Sequence, residues 1–335
     1  MSHNKTFTAR SLGEHRIIQI IHEHLTPMPN MPVPFGDDVS AVTIDENRVA
    51  VLKTDMLVAK TDVPDEMTLY QAARKALVMN ISDFASKGAK PIAALVALGL
   101  PADFTQKNIE EIADGLNAGA QEYGAYIIGG DTSETSDLIV SVSLFGTAKK
   151  SVLMLRSGAK EGDVLAVTGF FGKSAAGLRL LLGGCSATKN TKALVNAVLM
   201  PKARLAEGLA LGGCGAVSAS MDSSDGLAWT LHEIARQSNV GFEVEKVPVA
   251  PEVKRFAELN NFDASELVLY GGEEYELVVT VKPEGWDAAA AAVESVGGKL
   301  LRIGKATKEK QILLKEEGKP QPIKARGWEH FKSQV

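Results

Sequence analysis

The hydrophobic positions change period along the chain. From Glu14 to Leu25, Ile17, Ile18, Ile20, Ile21 and Leu25 recur at the three-to-four-residue spacing of a helix face. Pro27, Pro29, Pro32 and Pro34 then end any helix, because proline fixes φ and has no N–H to donate. Short β-rich runs predict strands at Val39–Ile44 and Val49–Leu52. Thr68 to Lys87 predicts a long helix closed by Gly88. Ile92–Leu98 reads as a buried strand, and Ile109, Ile112, Ala113, Leu116 and Ala120 mark another helix. Ala125–Ile128 and Leu138–Phe145 predict two further strands. Beyond Ser151, strands are expected at Val164–Val167, Val217–Met221, Phe242–Val244, Glu276–Val281 and Leu300–Ile303. Helices are expected at Ser174–Leu182, Leu227–Gln237 and Trp286–Val296.

This alternation predicts a mixed α/β class in both halves. The domain boundary is placed between Ala148 and Arg156, around Lys149–Lys150, giving units at residues 1–150 and 151–335. With 335 residues, 45% hydrophobic and 23% charged, the chain can bury a substantial core and is not a disordered polymer. Lys plus Arg number 36 against 41 Asp plus Glu, a net charge of −5, and no basic run is present. That balance argues against a nucleic-acid partner. The longest apolar run, Pro91 to Leu100, is shorter than the about 20 residues of a membrane span. The opening MSHNKTFTAR lacks the apolar stretch of a signal peptide, and two cysteines, Cys185 and Cys214, cannot build a disulfide framework. A cytoplasmic protein without membrane contact is expected.

The candidate chemistry lies in aspartates set among small residues where strands are expected to end. These are Gly36-Asp37-Asp38, Lys53-Thr54-Asp55, Gly129-Gly130-Asp131-Thr132 and Asp222-Ser223-Ser224-Asp225-Gly226. Asn80, Asp83 and Lys87, spaced by three and four, share one face of the expected Thr68–Lys87 helix. Any one such site is an ordinary turn or helix cap. Several that converge would repel one another unless cations lay between them, and oxygen-only donors select hard ions such as Mg²⁺, which accompanies phosphates. The helix start after Asp222 and the bare backbone of Gly130 would suit a phosphate, and Arg156 offers a guanidinium fork. Gly169-Phe170-Phe171-Gly172-Lys173-Ser174 is too short between its glycines for a P-loop and reads as a strand-to-helix turn. His22 and His24 point to different helix faces, so they form no metal pair. Trp328 is either a packing anchor or a platform for a flat ring.

Taken in order, these motifs resemble a known family. With Lys53-Thr54-Asp55-Met56-Leu57-Val58, Asn80-Ile81-Ser82-Asp83, Arg156-Ser157-Gly158-Ala159 and Gly271-Gly272-Glu273-Glu274-Tyr275-Glu276-Leu277, the series is similar to the thiamine-monophosphate kinases of the aminoimidazole-ribonucleotide-synthetase-like superfamily. The resemblance runs from about Gly36 to Phe331. It implies a two-domain α/β fold with mixed sheets and a homodimer built on the N-terminal sheets. It also implies ATP-dependent phosphorylation of thiamine monophosphate to thiamine diphosphate with several Mg²⁺ ions. Carried over, Asp38, Thr54, Asp55, Asp83, Asp131, Asp222 and Asp225 would hold metal, with Asp55, Asp83, Asp131 and Asp222 central to catalysis. Gly130, Asp131, Arg156 and Ser224 would contact ATP, and Glu273 and Trp328 would face the thiamine moiety. Two positions depart from the pattern: Asp62 stands where a substrate-contacting histidine is usual, and Glu274 where an aspartate is usual.

The implied acceptor is a phosphate oxygen already ionised near neutral pH, so no general base is required. This explains a site rich in Asp without His or Cys. The alternatives are another ATP-dependent enzyme of the superfamily, such as an aminoimidazole ribonucleotide synthetase, and a non-catalytic Mg-nucleotide-binding module. A selenophosphate synthetase would carry a reactive Cys near its start, whereas the first Cys here is Cys185.

Overall fold

Two mixed sheets, one from each half of the chain, organise the protein; the computed structural model describes residues 7–187, 189–315 and 319–331. The first half runs α1 (Ala9–Leu12), α2 (Glu14–Glu23), β1 (Ser40–Thr43), β2 (Arg48–Val58), α3 (Ala59–Asp62), α4 (Leu69–Ser86), β3 (Lys90–Leu100), α5 (Gln106–Glu122), β4 (Tyr126–Glu134) and β5 (Ile139–Lys149). Its five strands lie in the order β1-β2-β5-β3-β4, antiparallel except for the parallel β3–β4 pair. The second half runs β6 (Val164–Val167), α6 (Lys173–Leu181), α7 (Thr191–Leu199), α8 (Leu205–Cys214), β7 (Val217–Asp222), α9 (Leu227–Ser238), β8 (Gly241–Val244), α10 (Pro251–Asn260), α11 (Ala264–Tyr270), β9 (Leu277–Val281), α12 (Trp286–Ser295), β10 (Leu301–Thr307), β11 (Ile312–Leu314) and β12 (Gln321–Pro322). These strands follow the order β12-β11-β8-β10-β6-β9-β7, which leaves β7 at an edge. Among the described residues no helix is long and apolar enough to cross a membrane.

The expected strands continue further than the β-rich runs. β2 runs on through Lys53-Thr54-Asp55 because it stays paired with β5, Thr54 opposite Ser143 and Asp55 opposite Val142. β4 likewise contains Gly129-Gly130-Asp131-Thr132, with Gly130 opposite Val96. Both motifs therefore lie within strands, where their side chains alternate between faces. β3 is buried on one face only, leaving Ile92 and Leu95 exposed.

α4 links the two halves. Thr68 caps it: its Oγ1 accepts the Gln71 N–H at 3.2 Å, while Gln71 Oε1 accepts the Thr68 N–H at 2.9 Å. From Ala72 to Ser86 every residue but Met79 is buried, since the helix packs on β2 and β5 from one side and on α8 and β7 from the other. A helix buried all round can carry polar groups only if they are paired. Arg74 accordingly binds Glu122 and donates to the Pro201 carbonyl at 2.8 Å.

Candidate active site

Carboxylate oxygens of Asp38, Asp83 and Asp222, all buried, lie within 4.8 Å of one another. Asp38 comes from the turn before β1, Asp83 from the last turns of α4, and Asp222 from the end of β7. The helix brings Asp83 between the two sheets, and the pairing of Asp222 with Leu277 on β9 fixes the third corner.

Cations from three segments bound this cluster. Lys87, wholly buried, places Nζ 2.7 Å from Asp37 Oδ1, 2.7 Å from Asp38 Oδ2, and donates to the Ser220 carbonyl at 2.7 Å. Arg156 donates Nε to Asp38 Oδ1 at 2.6 Å, its backbone N–H to Asp37 at 3.0 Å and Nη1 to the Gly36 carbonyl at 2.9 Å. Lys53 sits 3.1 Å from Asp55 Oδ1 and 3.0 Å from Asp83 Oδ2. Lys53 and Asp55 project from the same inner row of β2, one pleat apart. Ser82 donates to Asp222 at 2.6 Å and Ser86 to Asp38 at 2.6 Å.

These pairings do not balance the charge everywhere. Burial alone would raise Asp38, but Arg156 and Lys87 outweigh it and hold this carboxyl well below the usual range. Asp83 goes the other way: burial, together with the charges of Asp222, Asp55 and Asp38, overcomes Lys53 and raises it. Burial and Asp38 push Asp222 up to about 6. Burial, with Glu14 and Asp222, pushes Asp225 up to about 7. A further cation would relieve this excess of negative charge. The donors are oxygens only, which suits a hard divalent ion. Two more buried oxygens adjoin the cluster in sequence: Asn80 Oδ1, three residues before Asp83, and Ser223 Oγ, next to Asp222, have no hydrogen-bond partner among the described residues. The residues present therefore fit Mg²⁺.

A second wall forms beside β7. The carbonyl of Ser224 accepts the Glu273 N–H at 2.6 Å, and that of Asp225 accepts the Trp328 N–H at 3.0 Å. Glu273 and Trp328 thus hang from adjacent peptides of the turn that follows Asp222. Lys75 reaches this wall from α4, 2.5 Å from Glu273 Oε1. Asp62 turns its carboxylate back onto the Val58 N–H at 2.8 Å, closing α3. Glu274 points elsewhere, accepting the Gly172 and Ser174 N–H groups at 2.7 and 3.1 Å at the start of α6. The Gly169–Ser174 turn is thus a helix start capped by a carboxylate.

The structure does not gather every residue singled out in the sequence. The Thr54 hydroxyl lies on the outer row of β2, 3.2 Å from Ser143 Oγ and on the face opposite Asp55. Asp131 is exposed on edge strand β4, outside the Asp38–Asp83–Asp222 cluster. Packing alone already requires glycine at 130: a Cβ there would meet the Val96 carbonyl oxygen of β3 at 1.8 Å. Arg156 is held on Asp38 rather than free in solvent. Sequence reasoning gave no role to Lys53, Lys87, Ser82 or Ser86. Lys87 carried a usable signal, its place on the Asn80–Asp83 face of the helix, whereas the partners of Ser82 and Ser86 lie too far away in sequence to be read.

Residues 36–148 match the family model described as AIR synthase related protein, N-terminal domain, and residues 160–315 match the corresponding C-terminal domain. The chain is 36% identical over 298 residues to the thiamine-monophosphate kinase of Nitrosopumilus maritimus, covering 89% of this chain and 93% of that one. The chain belongs to the thiamine-monophosphate kinase family. It is 31% identical to the family member of Bacillus subtilis over 331 residues, covering 96% of this chain and all of that one (100%). Among solved structures, it is similar to AaThiL complexed with AMPPCP and TMP, with a TM-score of 0.85 and 28% identity over 98% of this chain and 100% of that one. The two-domain mixed α/β architecture is that of the family.

Proposed function

We propose that the protein transfers the terminal phosphoryl group of ATP to the phosphate of thiamine monophosphate, forming thiamine diphosphate and ADP. The observation that carries this reading is the buried convergence of Asp38, Asp83 and Asp222 in a chain of this family. Asp38, Asp83 and Asp222 would hold Mg²⁺, which would supply the positive charge that offsets the repulsion between the two anionic substrates.

The chain's own groups prepare that site. Lys87 and Arg156 keep Asp38 ionised, so its oxygens are ready for a cation near neutral pH. Asp83, Asp222, Asp55 and Asp225 supply the remaining carboxylates, and the family pattern adds Thr54 and Asp131. Arg156, Gly130, Asp131 and Ser224 are assigned to ATP, and Glu273, Trp328 and Asp62 to the acceptor. A thiamine ring stacked on Trp328 would gain about 0.5–2 kcal/mol of cation–π attraction. The acceptor phosphate has lost its second proton near pH 7, its pKa being about 6, so no side chain has to remove one. Among the described residues the metal-type cluster is accordingly built from aspartates alone.

The division proposed is a unit at residues 1–150 for ATP, Mg²⁺ and dimer contacts and a C-terminal α/β unit at 151–335, with Arg156, Asp222, Ser224 and Asp225 of the second unit completing the site. The outer face of the first sheet, with Val42, Leu52, Met56, Leu95 and Phe145 exposed, is proposed to pair with a second copy of the chain. The functional reading is tested by incubating the protein with ATP, Mg²⁺ and either thiamine monophosphate or free thiamine. Thiamine diphosphate from the monophosphate alone is expected. Phosphorylation of free thiamine would demand a hydroxyl-activating base and contradict the mechanism. ATP binding without ADP formation on either acceptor would favour a nucleotide-binding module.

A further inference from the structure

Lys75 is buried on α4, with 1% of its side chain exposed, yet its partners are not the clustered aspartates. Its Nζ stands 2.5 Å from Glu273 Oε1 and donates to the Asp62 carbonyl at 2.9 Å. One ammonium from the first half thereby ties together two segments distant in sequence: the α3 turn and the Gly271–Glu276 segment.

The conformation of that segment gives the tie a purpose. Glu273 and Tyr275 both have positive φ, 59° and 54°, a region that residues other than glycine rarely occupy. Three contacts hold it there: the Glu273 N–H to the Ser224 carbonyl at 2.6 Å, the Tyr275 N–H to the Ser223 carbonyl at 3.1 Å, and Ser174 Oγ to the Glu273 carbonyl at 2.8 Å. Those contacts set the backbone, while Lys75 sets the Glu273 carboxylate. The Glu273 side chain remains 38% exposed, and Lys75 engages Oε1, which leaves Oε2 for a ligand.

We propose that Lys75 is a positioning residue for acceptor recognition. By bridging the Glu273 carboxylate and the Asp62 carbonyl, it fixes the wall that Glu273 and Trp328 present to the acceptor. This rests on the reading that these residues face the thiamine moiety. Lys75 acts through Glu273 and does not itself touch the substrate. A salt bridge that only joined the two halves would affect stability without choosing between substrates.

The test compares wild type, Lys75→Met, Glu273→Gln and the double variant, measuring kcat, the KM for thiamine monophosphate, the KM for ATP and Tm. Each single variant is expected to raise the acceptor KM by about tenfold or more while the ATP KM moves by no more than about twofold. The double variant is expected to be no worse than the worse single, because both remove the same contact. An unchanged acceptor KM with a lowered Tm, equal rises in both KM values, or multiplying effects in the double variant would each overturn the proposal. If Lys75→Met does not fold, Lys75→Arg, which keeps the charge but changes its reach to Glu273, is expected to show the same split in KM, and an unchanged acceptor KM in it overturns the proposal. A wild type that forms no thiamine diphosphate overturns the functional reading and this proposal with it. A wild type that turns over, with an unchanged acceptor KM in Lys75→Met but a raised one in Glu273→Gln, removes Lys75 alone.

Discussion

Glu274 stands beside the Glu273–Trp328 wall but is turned away from it, onto the Gly172 and Ser174 N–H groups. Burial pushes its pKa up to about 8, with Glu276 adding to the shift, and outweighs the two N–H donors at the start of α6. The folded value lies above the ordinary 4.5, so between about 4.5 and 8 the folded chain keeps a proton that the unfolded chain has lost. The stability this contributes is complete below about 4.5 and is lost as pH rises through about 8. Glu274→Gln keeps an acceptor oxygen and removes the titration. Its Tm, relative to wild type, is expected to shift in the variant's favour as pH is raised from about 5 to 8; parallel melting curves across that range would contradict the assignment. The neighbours Glu273 and Glu274 show what a sequence leaves open at this scale. Both are glutamates in a glycine-rich motif, yet Glu273, at positive φ, pairs with Lys75 while Glu274 caps α6.

β2 carries two kinds of information on its two rows. The inner row places Lys53 and Asp55 beside α4, while the outer row exposes Leu52 and Met56 around Thr54. Leaving such an apolar face in water is unfavourable, and a second copy of the chain is the proposed cover. Met56→Glu would place a charge in its centre. Sedimentation velocity is expected to show the wild type as a dimer and the variant shifted toward monomer; equal sedimentation would contradict this use of the sheet. Hydrophobic period was enough to locate α4, β6 and α9, whose patterns are long or uninterrupted. It placed the end of β2 too early because Lys53-Thr54-Asp55 looks like a turn, whereas eleven ladder pairs with β5 decide the matter. α8, LAEGLALGGC, escaped notice because its glycines read as breakers. Packing explains one of them: a Cβ on Gly208 would meet the Ala85 carbonyl oxygen of α4 at 2.0 Å.

Across the whole molecule, the site exists because α4 lies between the two sheets. Asp38, Asp83 and Asp222 are far apart in the chain, and the ordered motifs identified the family without revealing which carboxylates meet. The counter-charges were still less legible. Lys53 sits in its motif as an ordinary lysine and Lys87 was marked only by its helix face, and the fold shows that both hold neighbouring aspartates in place. The central claim is that this convergence holds the cation on which phosphoryl transfer depends. It is tested most directly by measuring Mg²⁺-dependent thiamine diphosphate formation, together with the Mg²⁺-induced rise in Tm, for wild type and Asp83→Asn. The expected result is a turnover loss on the order of 100-fold or more, a lost or reduced Mg²⁺ response, and a Tm without Mg²⁺ no lower than that of wild type. An Asp83→Asn variant that turns over at nearly the wild-type rate and keeps its Mg²⁺ response would contradict it.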